Sequence, residues 1–352
     1  MVVTSQGNHT TPVTPPSGAA GAEATTAASS SGIRRIRENA KNPKNGKNGK
    51  NPKKRVAATR SAAARRRDLP VALMLILPSV VGFAVFYAYP TLRGIYLGFT
   101  DFHVLTPPNW VGLANFREMF GDDVFWHSLL VTVYFVVLSV VFGTLISLVT
   151  AVILHRVTSS STLRGVILMP FLISNVIAAL VWQWMLDPHL GVINIVLDHV
   201  IGHSILFLGS GPWAIPSLAA ISVWKWMGYY ALLIFAGLQT IPSTIYEAGR
   251  VDGATEFQMF RRLTVPLLRP ILVMVVVLTV INAFQVFDIV AVTTKGGPAN
   301  ASNVLQMYIY DKAFRQFDFG YAATMSLALF VLLITVTFTQ LRLARADESD
   351  LN

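Results

Sequence analysis

The sequence predicts an all-α integral membrane protein, built as a bundle of six transmembrane helices. Charged residues make up 13% of its 352 residues, about half the roughly 25% usual in soluble domains. Mean hydropathy is +0.54. Six apolar segments, near 70–91, 127–154, 163–186, 213–239, 266–292 and 319–343, are long enough to cross roughly 30 Å of hydrocarbon. The chain then divides into a basic tail, 1–69, a transmembrane domain, 70–343, and a short C-terminal tail, 344–352.

The tail comes first. Residues 1–69 hold 14 Lys/Arg and 3 Asp/Glu, whereas the rest of the chain has a net charge of −1. The basicity is therefore local. Residues 1–32 are rich in Ser, Thr, Ala, Gly and Pro, and 41–54 read KNPKNGKNGKNPKK. Neither stretch can bury enough apolar surface to offset the entropy of ordering, so both are expected to be disordered. Such an arm either binds anionic headgroups or nucleic acid by charge, or is a solvated extension that sets topology. The second reading is adopted, with membrane lipid and no nucleic acid as partner. The apolar run that follows is too long and too far into the chain for a secretory signal.

The spans leave five connections. Arg65, Arg66 and Arg67 precede the first span, Arg156 and Arg164 flank the second connection, and Arg342 and Arg345 follow the sixth span. Arg250, Arg261, Arg262 and Arg269 fall in or beside the fourth connection. The positive-inside rule then places both termini and the fourth connection in the cytoplasm. Leu77-Pro78, Met169-Pro170 and Gly228 interrupt the apolar runs. Prolines and glycines are tolerated there where neighbouring helices or a cavity satisfy the freed backbone groups.

The fourth connection is not an ordinary loop. It reads Tyr246-Glu247-Ala248-Gly249-Arg250-Val251-Asp252-Gly253-Ala254, continues through Phe257 and Phe260, and closes on Leu263-Thr264-Val265-Pro266. Pro242-Ser243 suits the start of a helix, with Ser as its cap. Asp252-Gly253 would end that helix, with Asp252 placed to cap a second one carrying Phe257 and Phe260 on one face. Two short helices hinged at Gly253 make a knob, on which Glu247 offers a charge and the phenylalanines fill a groove. The segment resembles the EAA loop of ABC-importer permeases. That family pattern is Glu-Ala-Ala, three residues, Gly, nine residues, Ile, one residue, Leu-Pro. Here Gly249 replaces the second alanine, Gly253 falls in place, Leu263 stands for Ile and Val265-Pro266 for Leu-Pro. The resemblance implies docking into an ATPase subunit through Tyr246, Glu247, Ala248, Gly249, Asp252, Gly253, Ala254, Phe257, Phe260 and Pro266. The competing reading is an amphipathic helix resting on headgroups.

Further motifs resemble the permeases of carbohydrate and polyol importers, the maltose and glycerol-3-phosphate type, over about 70–343. They include Tyr89-Pro90, Gly98-Phe-Thr-Asp101, Gly112-Leu-Ala-Asn-Phe116, Trp182-Gln-Trp184, Lys295-Gly-Gly-Pro298 and Phe319-Gly-Tyr-Ala-Ala323. Singly they are weak; in this order they are specific. Sugars present C–H faces to aromatics and hydroxyls to amides and carboxylates. Span four carries Lys225, Trp226, Gly228, Tyr229 and Tyr230, and span five Asn282, Phe284, Gln285 and Asp288; these are the candidate substrate path. Belt or core packing of the aromatics and interhelical hydrogen bonds of the amides remain the alternatives. Lys225 and Asp288 are costly in hydrocarbon unless they face a cavity, an interface or each other.

No phosphate-binding G-x-x-x-x-G-K-[ST], H-E-x-x-H or G-x-S-x-G occurs, the 7 histidines are scattered, and Cys is absent. Catalytic, metal and cofactor roles are accordingly not expected. The resemblance implies a transport subunit that moves a sugar or polyol by alternating access. It also implies as partners a second permease, two ATP-binding subunits and an extracytoplasmic solute-binding protein. An ion- or proton-coupled secondary transporter is the alternative: it would use Lys225 and Asp288 but leave the Glu247 loop without a purpose.

Overall fold

The computed structural model describes residues 74–104, 106–157 and 160–346. The expected disordered tail, residues 70–73 of the first span and the end of the C-terminal tail lie outside them. The chain divides into two units, Met1–Pro78 and Ser79–Asn352. In the first, the described residues open an apolar helix; the second holds the rest of what is discussed below.

The described residues are helical, with two isolated bridges, Thr100 to Trp110 and His103 to Asp318, in place of any strand. Among the described residues, five helices are long and apolar enough to cross a membrane. They are α1 (Met74–Leu97), α2 (Asp123–Val157), α5 (Gly211–Leu238), α8 (Arg269–Phe284, which with a short following helix reaches Val292) and α10 (Phe319–Ala346). The expected third span is instead a pair, α3 (Ser161–Leu172) and α4 (Asn175–Met185), bent by 92°. Counted as one span it brings the total to six. Between α5 and α8 lie α6 (Ser243–Val251) and α7 (Glu256–Met259); α9 (Asp288–Val292) follows α8.

Two expected spans are thus interrupted. In α3, Pro170 has no amide to donate and strains the turn before it; Ile173 and Ser174 then go extended, ψ 141° and 144°. In the fifth span, Gln285 and Phe287 leave helical geometry before Asp288 restarts it. Periodicity could not show either break, because apolar residues continue on both sides of it.

The core is organised around α5, which packs on α2, α3 and α8. Leu218, Ile221, Ala231 and Ile234 on α5 are almost completely buried. One apolar cluster joins Phe135, Leu218, Phe284, Tyr308 and Met325. Another, toward the α6 end, joins Leu154, Ile234, Leu238, Leu268 and Val275. The outer side chains of α1, Phe83, Phe86 and Tyr87 among them, are exposed. An apolar face of that size belongs against lipid or another helix.

At the end remote from α6, one carboxylate gathers three elements. Asp122 accepts hydrogen bonds from the hydroxyls of Tyr308 at 2.5 Å and Tyr321 at 2.7 Å, and from the amides of Val124 and Phe125. Burial alone would raise its pKa, but these four donors outweigh it and hold the carboxyl below the usual range. The same pair pushes the Tyr308 hydroxyl well up, burial first and the Asp122 carboxylate second. Hydrogen bonds to an ionised group are worth about 1.5–3 kcal/mol.

Asp122→Asn should therefore lower the thermal midpoint of the purified protein by about 3 °C or more. Because the folded pKa is depressed, the wild-type advantage is present above about pH 4 and is lost as pH falls through the lower, folded value. Thermal scans across that window check this; equal midpoints above pH 5 would contradict it.

Candidate functional site

The α6–α7 segment forms the expected knob, with its own means of holding shape. α6 ends in a Schellman motif: Ala254 N donates to Gly249 O at 2.9 Å and Gly253 N to Arg250 O at 3.1 Å. Gly253 stands at φ +75°, where a side chain is strained. Nothing lies within 4 Å of a Cβ built there, so within this chain the demand on Gly253 is conformational and not one of close approach. α7 begins with a capping box. Thr255 Oγ1 accepts from Gln258 N, and Gln258 Oε1 accepts from Thr255 N at 2.8 Å.

This corrects two expectations. Asp252 closes α6 instead of capping α7, since the chain turns at Gly253 and starts its next helix three residues later. Ser243 does not cap α6 either; Pro242 occupies the cap position and offers no side-chain acceptor. The Thr-x-x-Gln spacing at 255–258 was the signal that could have located the true cap.

The knob has two sides. Inward, Gly249 is buried, and a Cβ there would meet Leu263 Cδ1 at 3.2 Å and Met259 Sδ at 3.4 Å. Glycine therefore suits the position where the family pattern has alanine. Tyr246 Oη meets Thr264 Oγ1 at 3.1 Å. Outward, Glu247, Ala248 and Arg250 are exposed, and Val251 and Phe257 are 87% and 70% exposed. Phe257 and Phe260 do not share a fate: Phe260 is half-buried and lines a cleft of about 500 Å³ with Glu247, Arg250 and Tyr246. Arg156, at the end of α2, pairs with Glu256 at 2.8 Å across that cleft. Pro266 is exposed, one turn before α8.

Two of the candidate path residues, Lys225 and Asp288, lie at the span breaks. Lys225 is 5% exposed. Its ammonium donates to Phe171 O at 3.1 Å, one of the carbonyls that α3 leaves unpaired where it stops, and lies over the rings of Phe171 and Trp226. Four residues on, Asn175 Nδ2 donates to Asp288 Oδ2 at 2.8 Å, joining the first residue of α4 to the first of α9. Neither Asn175 nor Phe171 stood out in the sequence. An Asn beginning a helix and a Phe inside an apolar run are both commonplace until the break brings them together.

The aromatics are already engaged. Tyr229 stacks on Phe171 at 4.7 Å, and Trp226 stacks on Tyr230 at 5.8 Å. Asn282 Nδ2 donates to Tyr230 Oη and to Leu278 O. Phe284 and Tyr230 are buried in the core, whereas Gln285 is exposed and Trp226, Tyr229, Asn282 and Asp288 are half-buried. Gly228 has a packing role: a Cβ there would lie 2.0 Å from Ile167 O, so α5 and α3 touch backbone to backbone. Trp226, Tyr230, Thr279 and Asn282 border a void of about 10 Å³, whereas small-molecule sites run to roughly 300–1,000 Å³.

Residues 143–346 match the family model described as the inner membrane component of binding-protein-dependent transport systems. The chain is 31% identical over 284 residues to the sulfoquinovosyl glycerol transport system permease protein of Agrobacterium fabrum, covering 80% of this chain and 92% of that protein. It is 31% identical to the trehalose/maltose transport system permease protein of Thermococcus litoralis, over 79% and 95% of the two chains. Among solved structures, a chain of a bacterial ABC transporter that imports the acidic polysaccharide alginate superposes with a TM-score of 0.72. It shares 24% identity and covers 82% of this chain and 99% of that one. That likeness shows the fold.

Two glycines should separate packing from conformation. Gly228→Ala must push α3 off α5, at about 1–3 kcal/mol, and should reduce the amount and thermal stability of the protein. Gly253→Ala costs about 1–2 kcal/mol of local backbone strain at a solvent-facing turn and should leave membrane levels unchanged. Quantitative blotting and thermal scans check both; normal levels of Gly228→Ala would contradict the backbone contact.

Proposed function

From a chain that belongs to the inner membrane components of binding-protein-dependent transport systems, we infer import of a sugar or related polyol, coupled to a separate ATPase through the α6–α7 knob. The chain is a multi-pass membrane permease subunit of an ABC importer and not itself an enzyme. The relatives named for a sulfoquinovosyl glycerol and for trehalose and maltose support a carbohydrate as cargo. The ion- or proton-coupled alternative has no support from these relatives.

The observation that carries the coupling reading is the knob's division. Its inner side is fixed by Tyr246–Thr264, the Schellman turn and the capping box. Its outer side leaves Glu247, Ala248, Val251 and Phe257 uncovered. A rigid knob with an uncovered charged and apolar face transmits a push from a partner, whereas an amphipathic helix on headgroups needs no such internal scaffold. ATP-driven closure of the partner would move the knob, and with it the ends of α5 and α8. Two ATPase subunits, a second permease and an extracytoplasmic binding protein complete the machine in this reading. Both termini and the knob are cytoplasmic in this reading.

The void's size supports a sugar path outside the interior of this chain. A space of about 10 Å³ cannot admit a sugar ring, so the path lies on a face shared with the second permease. There the half-buried Trp226, Tyr229, Asn282 and Asp288, with exposed Gln285, present stacking faces and hydrogen-bonding groups. Lys225, Gly228, Tyr230 and Phe284 hold them in place.

Glu247→Lys combined with Gly253→Val should leave the protein at normal membrane levels. Uptake by the assembled importer should fall at least about tenfold, as expected if one charge-assisted contact of roughly 1.5–3 kcal/mol is lost. Binding-protein-stimulated ATPase activity should fall with it. Full uptake and stimulation in the double variant would refute coupling through this loop. With no native Cys, a single cysteine at position 250 should react with an impermeant reagent only in inside-out vesicles; labelling from outside intact cells would reverse the orientation.

A further inference from the structure

The third connection, between α4 and α5, is not a free loop. It holds a helix, Val192–Ile201, whose seat is built largely from one side chain. Asn194 is 1% exposed, and its Nδ2 faces the carbonyls of Leu186 at 3.2 Å, Asp187 at 3.1 Å and Ile205 at 3.1 Å. Its Oδ1 accepts from Ile205 N at 2.8 Å. Two residues further on, Phe207 O accepts from Ser217 Oγ in the second turn of α5 at 3.3 Å. The helix is thereby fixed beside the first turns of α5. Its exposed sides differ in chemistry. At about 100° per residue, Val192, Val196 and Val200 form one stripe, 49%, 56% and 75% exposed. Asp198, also exposed, stands opposite Val196, with Ile195 and His199 between the two sides.

We propose that this helix lies in the plane of the membrane surface remote from the knob, with its valine stripe in lipid and Asp198 in water. Several observations select lipid as the occupant. Exposed tryptophans stand at both ends of the connection, Trp184 near the close of α4 and Trp213 in the first turn of α5. Trp gathers at the boundary between membrane and water. An exposed apolar stripe runs along α4 through Ile177, Leu180, Val181 and Trp184. The helix touches α4, so its valines extend an apolar surface that the span already presents. An apolar stripe opposite a carboxylate is the pattern of a segment lying in an interface. A protein partner fits less well: valine is under-represented among the residues that anchor such contacts, and the stripe carries no aromatic or arginine. The contact requires only that the chain span a membrane; the orientation inferred above makes the leaflet the extracytoplasmic one. So placed, the helix holds the far end of the bent third span and the start of α5 at the membrane surface while the knob end moves.

The test is electron paramagnetic resonance on the assembled importer in nanodiscs, nitroxide-labelled at one introduced cysteine. The cysteine-free chain permits this, given cysteine-free partner subunits. Positions 192, 196, 198 and 200 are labelled one at a time. Collisions of each label with oxygen, which concentrates in lipid, are compared with collisions with a water-soluble nickel chelate. Labels at 192, 196 and 200 should favour oxygen and the label at 198 the chelate, so the preference inverts within one turn. A chelate preference at the three valine positions would place the helix in water and overturn the proposal. Low collision rates with both reagents there would show a cover of protein, from the second permease or the binding protein, and would overturn it as well. Oxygen preference at all four positions would sink the helix into hydrocarbon and remove the in-plane placement. The three valine positions report independently, so a variant that fails to assemble leaves two. The readout needs insertion but not transport, so failure of the coupling or cargo reading would leave it unchanged.

Discussion

Inside a bilayer no water replaces a lost backbone hydrogen bond, and the two interrupted spans must meet that constraint with side chains. The break after Leu172 leaves the Phe171 carbonyl to be satisfied, and Lys225 reaches it from α5. Asn175 starts the next helix by donating to Asp288, which itself restarts the fifth span. One buried cation and one amide–carboxylate bond therefore tie three spans together where two of them are interrupted. The backbone contact of Gly228 with Ile167 sets how closely α5 lies to α3, and hence whether Lys225 can span the gap. Ionisable residues that look like coupling groups in a secondary transporter are, in this geometry, the ties that make broken helices tolerable.

The same logic runs in reverse at the knob, which is surrounded by water in the orientation we infer. Short helices of 9 and 4 residues are below the length that is stable alone. They keep their form through end-capping and a small apolar seat. Gly249 drops between Met259 and Leu263, Tyr246 bonds Thr264, and the end of α6 and the start of α7 have free backbone groups met locally. Because the internal contacts fix the shape, the outer residues are free to serve recognition. Spans broken and tied by polar contacts, joined to a stiff exposed knob, give a chain in which movement at one end can reach the polar groups at the other.

Much of this was legible in the residues. Long apolar runs disclosed five spans almost to their ends, because a stretch of twenty apolar residues has few other uses. The knob was visible through Glu247, an exposed charge, and through Gly253 and Pro266, whose types reflect backbone demands. What stayed hidden depends on partners distant in sequence. The break at 173–174 shows no compositional change, since apolar residues flank it and Pro170 alone is compatible with a mere kink. Asp122, which binds residues 186 and 199 positions away, looks like a routine acid before a helix. Asp252 was misjudged as a cap for the opposite reason: a residue type suited to capping sat one turn element too early, and Thr255 with its Gln258 partner took the place.

The claim on which the functional account turns is that the outer face of the knob touches the ATPase. A single cysteine at Phe257, in a chain with no other, can be joined by a short bifunctional maleimide to a cysteine-bearing ATPase subunit in the copurified importer. The account predicts an adduct of the two chains from position 257, diminished by Glu247→Lys. A stable complex that yields no adduct from any position between 247 and 257 would contradict it.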